Sequence, residues 1–449
     1  MLPIENIISI FFLACLLLSF AIGFASISTF TLISLIKARL LSNDRLHRRR
    51  VLLPLSPDVD DRPPFILGFF HPYWHARFNI ELDPRTISFE SLFRRGWVEE
   101  SRYPCFTLLG QSLGSLILGW EAINTVIPDL FFDTMGYAFT YPMVKLLTDA
   151  KVAAYVHYPT ISSDMLKRVQ ERSAQHNNNP AIARNLVWSF GKLIYYRVFA
   201  KVYGLCGSFA DITVVNSSWT KGHIDELWQT DATIIYPPCD TNHLNTLPLY
   251  GRERLVVSVS QFRPEKDHML QLRSFRYLLY TYPSFQDGPE RVELVLIGSS
   301  RNQADEDRIT ALKDEALHLG IHNNVRFEVN ASFPQLVEWL GRAKVGLHTM
   351  WNEHFGIGVV EYMAAGLVPV VHNSGGPQMD IVVEYNGKPT GYLASDVLGF
   401  GNALYTALSL PDAAYREIAE NARAAASDKF SELEFREAML RSLRRSIDG

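Results

Sequence analysis

Two acids, Glu353 and Glu361, bracket two glycines, Gly356 and Gly358, in the stretch Trp351-Asn-Glu-His-Phe-Gly-Ile-Gly-Val-Val-Glu-Tyr-Met-Ala-Ala-Gly366. A carboxylate is a poor neighbour for a phosphate but a good acceptor for hydroxyl donors, so sugar and ribose hydroxyls suit it. Glycines let a backbone turn tightly and approach a ligand closely. A helix starting at such a turn offers free N–H groups and a partial positive charge, which suit phosphate. The combination points to a sugar nucleotide, with Glu353 toward the sugar and Glu361 toward the ribose. The same two acids also suit a loop carboxylate and a solvated helix residue, and spacing alone leaves both readings open.

A second group lies upstream, in Gln261-Phe-Arg263-Pro-Glu-Lys266. Arg263 and Lys266 sit where a strand gives way to a helix. A forked guanidinium and a point-charge ammonium together can neutralise a diphosphate. Cations at a helix start oppose the macrodipole, which argues mildly against a purely structural role.

These residues need elements to hold them. Lys344–Thr349 reads as a buried strand, Gly358–Ala365 as a helix with Gly366 at its C-terminal end, and Leu367–Val371 as the next strand. Arg254–Ser260 and Val292–Gly298 read as further strands, with Gly298 facing a cleft, and Val325–Val329 as another. Helices are expected at 305–319, 334–343, 400–408, 411–427 and 431–447. The turn Asn373-Ser-Gly375-Gly376-Pro377 has N–H groups that suit phosphate or sugar, or an ordinary connection. Upstream, Pro128–Asp133, Lys151–Val156 and Asp211–Val215 read as strands. Asp133, Gly136 and His157 follow two of them, at the strand ends where ligands collect in open parallel sheets; a lone histidine equally suits a structural role. Alternation of strand and helix in two lobes predicts an α/β architecture of two doubly wound, Rossmann-like domains with a cleft between them.

Composition sets the bounds. The 449 residues suit two or three domains, and a formal charge of −4 gives no basic balance for nucleic acid. Hydrophobic content of 47% and aromatic content of 12% are high for a purely soluble chain. The four cysteines have no paired spacing, which argues against a disulfide framework or a zinc site and fits a reducing compartment. No HEXXH, nucleophile elbow or Walker lysine occurs. Ile7 to Ile36 carries no charge and is followed by Lys37, Arg39, Arg45 and Arg48–Arg50, so one transmembrane helix is expected, with a lumenal N-terminus and a cytosolic remainder. The apolar stretches 101–121 and 186–209 suit either core helices or helices lying against a membrane. The expected layout is an anchor at 1–40, a linker at 41–64, an N-terminal domain at 65–245 and a C-terminal domain at 246–449.

The acid–seven residues–acid pattern Glu353–Glu361, with Arg263-Pro-Glu-Lys266 before it, resembles the nucleotide-sugar site of retaining glycosyltransferases of the two-Rossmann-domain (GT-B) type. Within that family, Asn352-Glu-His-Phe-Gly-Ile-Gly-Val-Val-Glu-Tyr-Met-Ala-Ala-Gly366 resembles the branch that extends dolichol-linked oligosaccharide with α-1,2-mannose at the endoplasmic reticulum. The resemblance implies GDP-mannose as donor, a dolichol-diphosphate oligosaccharide as acceptor, the membrane as partner and other mannosyltransferases of that pathway as further partners. It implies no cofactor, metal or nucleic acid. It assigns Glu353, His157 and Lys266 to catalysis, and Arg263, Lys266, Gly356, Gly358, Glu361, Gly298, Gly375 and Gly376 to donor binding. The family continues after the first strand, here Phe65–Phe70, with a run of glycines. This chain instead reads His71-Pro-Tyr73-Trp74. That departure makes a catalytically impaired scaffold, binding GDP-sugars, the alternative expectation.

Overall fold

The computed structural model describes residues 51–52, 90, 92–162, 165 and 186–447. The uncharged run 7–36, most of the linker, the strand expected at 65–70 and the site of the glycine departure lie outside the described residues. Among the described residues no helix is long and apolar enough to cross a membrane.

The chain forms two compact units, one from residues up to Tyr155 with Phe199–Asp211, the other from Val156–Val198 with Ile212 onward. In the first unit β1 (Val51–Leu52) pairs in parallel with β2 (Leu130–Asp133), and β2 with β3 (Lys151–Val156). The stretch expected to be helical at 101–121 is a helix at Thr107–Thr125, preceded by two short 3-10 turns. Its buried face is built of small residues, among them Ser112, Gly114, Ser115 and Gly119. Asp133, a candidate acceptor contact by position, is spent locally. Its carboxylate accepts from the Met135 and Tyr137 amides, both at 2.7 Å, and from the Tyr141 hydroxyl at 2.6 Å.

In the second unit β4 (Ile212–Val215) and β5 (Thr233–Ile234) are parallel. A six-stranded sheet follows: β6 (Glu253–Val259), β7 (Glu293–Gly298), β8 (Val325–Val329), β9 (Ala343–His348), β10 (Val368–His372) and β11 (Tyr392–Ala394). It runs in the order β11-β10-β9-β6-β7-β8, and all its pairings are parallel. Strand side chains alternate between faces, and two cores result. Val256, Leu294, Leu296 and Val345 join one with Phe275, Phe400 and Leu404. Val257, Val295 and Ile297 join the other with Trp339, Tyr362 and Phe430. Helices therefore cover both faces, as expected for a doubly wound sheet.

Most helices lie where the sequence places them, including Gln303–His318, Phe333–Arg342 and Val397–Leu408. Two buried-facing guanidiniums satisfy their carbonyl ends. Arg252 donates to Leu340 O and Ala343 O, and Arg423 to Ala364 O and Ala365 O. Ahead of β6 lies a short helix at Thr241–Leu244 capped by Asp240. The glycine turn 373–376 runs into a π-helical turn, Pro377–Ile381.

Candidate functional site

The site gathers at the carboxyl ends of β6, β9 and β10, where a parallel sheet leaves space for ligands. After β9 the chain makes a tight turn through Asn352 at φ 49° and Gly356 at φ 103°. Only glycine adopts the second conformation without strain. The turn after β10 packs against it through one side-chain and one backbone acceptor. Asn352 N donates to Ser374 Oγ at 2.8 Å, and Gly376 N to Glu353 O at 2.8 Å. A Cβ on Gly375 would lie 2.3 Å from Glu353 O, and one on Gly376 2.5 Å from Phe355 O. The expectation that Gly376 offers a free N–H to donor is thus corrected. Its amide is taken, and these two glycines fix the position of the Glu353 turn.

Glu353 faces an ammonium and an imidazole. Lys266 Nζ is 2.5 Å from Oε2, and His348 Nε2 is 3.3 Å from the same oxygen. The imidazole contact is close but falls outside hydrogen-bond geometry. Burial opposes ionisation of Glu353, yet His348 and Lys266 outweigh it and hold the carboxyl well below the usual range. Lys266 also contacts Met350 Sδ at 3.2 Å. Its backbone is tied in place by Thr349, whose hydroxyl donates to Lys266 O at 2.9 Å and accepts from Gln271 Nε2 at 3.0 Å. Two residues placed on separate ligands by sequence, Glu353 and Lys266, are therefore paired with each other.

Arg263 precedes the 3-10 turn Pro264–Lys266, and the α-helix proper begins at His268. Arg263 thus stands one short turn ahead of the helix, not on it. Its Nε is buried without a hydrogen-bond partner, and its closest acid is Glu265 at 3.8 Å.

Helix Ile357–Ala365 starts at Gly356 with no side-chain cap, so its first amides are available to a ligand. Gly358 leaves space there: a Cβ would meet only Val259 O at 3.8 Å and Glu361 Oε2 at 4.0 Å. The Glu361 carboxylate thus folds back toward the helix start. No hydrogen bond or ion pair holds it among the described residues, and burial raises its pKa to about 7. It is not a solvated helix residue. Gly298 has a packing reason to be glycine, since a Cβ would strike Ser260 O at 2.2 Å. His157 lies after β3 with its carbonyl accepting from Asn216 Nδ2 at 2.9 Å, and burial lowers its pKa.

Sequence reasoning missed three residues. His348 backs Glu353. His354, next to Glu353, stacks on Tyr158 and Trp219. Asp380 is buried and accepts from Ser218 N at 2.9 Å, Ser218 Oγ at 2.5 Å and the Tyr236 hydroxyl at 3.0 Å. His348 and His354 are both close to Glu353 in sequence; only Asp380 depends on long-range packing.

Parallel sheets with acids and cations at their carboxyl ends belong here to a glycosyltransferase of GT-B-like fold, as the comparisons with known proteins show. Solved structures agree on the fold. An α,α-trehalose 6-phosphate synthase from Burkholderia multivorans aligns with a TM-score of 0.61 at 14% identity, covering 77% of this chain and 78% of that one. Anabaena HepE in complex with UDP aligns with a TM-score of 0.55 at 19% identity, covering 74% and 84%. Residues 74–228 match the family described as ALG11 mannosyltransferase N-terminus, and residues 240–424 match glycosyl transferases group 1. A mouse GDP-Man:Man(3)GlcNAc(2)-PP-Dol alpha-1,2-mannosyltransferase is 48% identical over 377 residues, 83% of this chain and 76% of its own. The enzyme of that name from Homo sapiens is 47% identical over 373 residues, 82% and 75%. The chain belongs to this α-1,2-mannosyltransferase family. Nothing among these relatives favours the scaffold alternative.

Proposed function

We propose that the protein transfers mannose from GDP-mannose, in α-1,2 linkage and with retention, to a dolichol-diphosphate-linked oligosaccharide, adding its fourth and fifth mannose for protein N-glycosylation. The observation that carries the reading is the unpartnered Glu361 carboxylate beside an uncapped helix start, with the Lys266–Glu353 pair across the same turn. In this reading Glu361 takes the ribose hydroxyls, and the helix start from Gly356 to Gly358 takes phosphate oxygens. Arg263 and Lys266 meet the charge that develops on the leaving GDP, which is electrostatic stabilisation aimed at the transition state. Glu353, kept ionised by Lys266 and His348, orients the mannose. His157 serves at the acceptor side, and the chemistry calls on no metal. Residues 65–245 form the acceptor domain and 246–449 the donor domain.

The chain also reads as a single-pass protein of the endoplasmic reticulum membrane with cytosolic catalytic domains. The uncharged run 7–36 and the basic residues after it support that; a lipid-linked acceptor needs such a location, shared with other mannosyltransferases of the pathway. The test is transfer of radiolabelled mannose to a synthetic trimannosyl lipid diphosphate by the full chain. Label should move from GDP-mannose, not from UDP-sugars, and should be lost in Glu353→Ala. Tight GDP-mannose binding without transfer would overturn the assignment.

A further inference from the structure

The Glu353 turn is held from two directions. On one side lie the amide and hydroxyl contacts of the 373–376 turn described above. On the other lies the ring of His354. Its centroid is 4.0 Å from that of Tyr158 and 5.1 Å from that of Trp219, each with 29° between planes. Tyr158 and Trp219 are themselves parallel within 4°, 6.2 Å apart, and His223 stands edge-on to Trp219 at 4.2 Å. Burial brings the His354 pKa down to about 4, so at neutral pH the side chain is a flat uncharged ring. Its neighbour Phe355 packs in the opposite sense, into the core against Tyr236 and Phe430. Consecutive side chains thus pin the turn to two different surfaces, with the Glu353 carboxylate between the pinned residues and Lys266.

Tyr158 follows His157 after β3, and Trp219 opens the helix Ser218–Trp228. Neither belongs to the six-stranded sheet that carries Glu353. The stack is therefore where the hexose-binding turn is referenced to residues beside the proposed acceptor. We infer that His354 is a positioning residue, whose stacking on Tyr158 and Trp219 sets the orientation of the Glu353 carboxylate toward the donor hexose. The inference rests on the donor reading given above. Two of the proposed nucleotide contacts, Arg263 and Glu361, lie outside the pinned turn, on the segment after β6 and on the helix Ile357–Ala365, so loss of the ring weighs on hexose recognition more than on nucleotide recognition.

The experiment measures GDP and GDP-mannose affinity separately, by calorimetry on the detergent-solubilised full chain, for wild type, His354→Ala, His354→Phe and Trp219→Ala. GDP affinity should stay within about twofold in all four. The extra affinity that mannose confers over GDP alone should fall about tenfold in His354→Ala and Trp219→Ala, since aromatic contacts are worth about that factor. Phenylalanine, which keeps the flat ring, should restore it and should recover kcat. A His354→Ala protein that keeps the full mannose increment overturns the inference. So does one that loses GDP and GDP-mannose in parallel, or a folded His354→Phe no better than alanine. Should alanine unfold the protein, the phenylalanine and Trp219 variants decide. A wild type that binds GDP-mannose no better than GDP points instead to failure of the donor reading.

Discussion

Replacing Glu361 with glutamine should have opposite effects on folding and on donor binding. Burial lifts its carboxyl from an ordinary 4.5 to about 7. At about 1.4 kcal/mol per tenfold change in proton affinity, ionising it in the folded protein costs as much as about 3 kcal/mol. The sign follows from proton counts. Between pH 4.5 and 7 the folded state holds the proton more tightly than the unfolded one, so this group's contribution to stability declines as pH rises through that window. Glutamine carries no such cost. Glu361→Gln should therefore match wild type in denaturant unfolding near pH 4.5 and exceed it at pH 8. A hydrogen bond to a charged partner contributes about 1.5–3 kcal/mol, so GDP binding at pH 8 should weaken roughly 10- to 150-fold. Wild-type affinity should fall more steeply from pH 8 to pH 6 than the variant's, because the Glu361 carboxylate protonates in addition to the terminal phosphate of GDP. Equal GDP affinity in the two proteins, or a wild type no more sensitive to pH than the variant in this window, would refute the assignment of Glu361 to the ribose.

Three further outcomes follow from the same geometry. Lys266→Arg should lose more than tenfold in kcat, because a planar guanidinium does not fit a slot 2.5 Å from Glu353 and 3.2 Å from Met350 Sδ; steady-state kinetics with saturating acceptor reads this. Gly375→Ala forces a Cβ onto Glu353 O at a residue with φ +62°. It should cost about 1–3 kcal/mol in chemical unfolding and most of the transfer activity. If, as proposed, Arg263, Lys266 and the helix start meet the leaving-group charge, transfer should persist in a chelator such as EDTA; restoration only by added Mg²⁺ or Mn²⁺ would contradict that.

Much of the strand framework was legible because buried parallel strands read as short apolar runs. Val325–Val329 and Lys151–Val156 fall where the sequence sets them, and the helix after Gly356 differs from its expected span by one residue. The three-residue strand β11 and the five-residue π-helical turn Pro377–Ile381 carry no usable periodic signal, since each spans too few repeats to show a pattern. Within the site, the acids and cations were visible as residue types, but their pairings were not. Lys266 and Glu353 meet only because β6 and β9 are neighbours with their carboxyl ends together. Glu361 looks solvated in a helical reading, and its burial comes from packing. Asp380 reaches Ser218 across 162 residues, a separation that no local spacing encodes. Asp133 shows the converse: a strand-end carboxylate in the right place for a ligand is consumed by its own turn.

The most direct test of the account is a structure of the full chain with GDP-mannose bound. The diphosphate should lie against the amides at Gly356–Gly358, within hydrogen-bond reach of Arg263 and Lys266. The ribose should contact Glu361, and the mannose Glu353. A nucleotide seated elsewhere on the protein, with Glu361 still unpartnered, would contradict it.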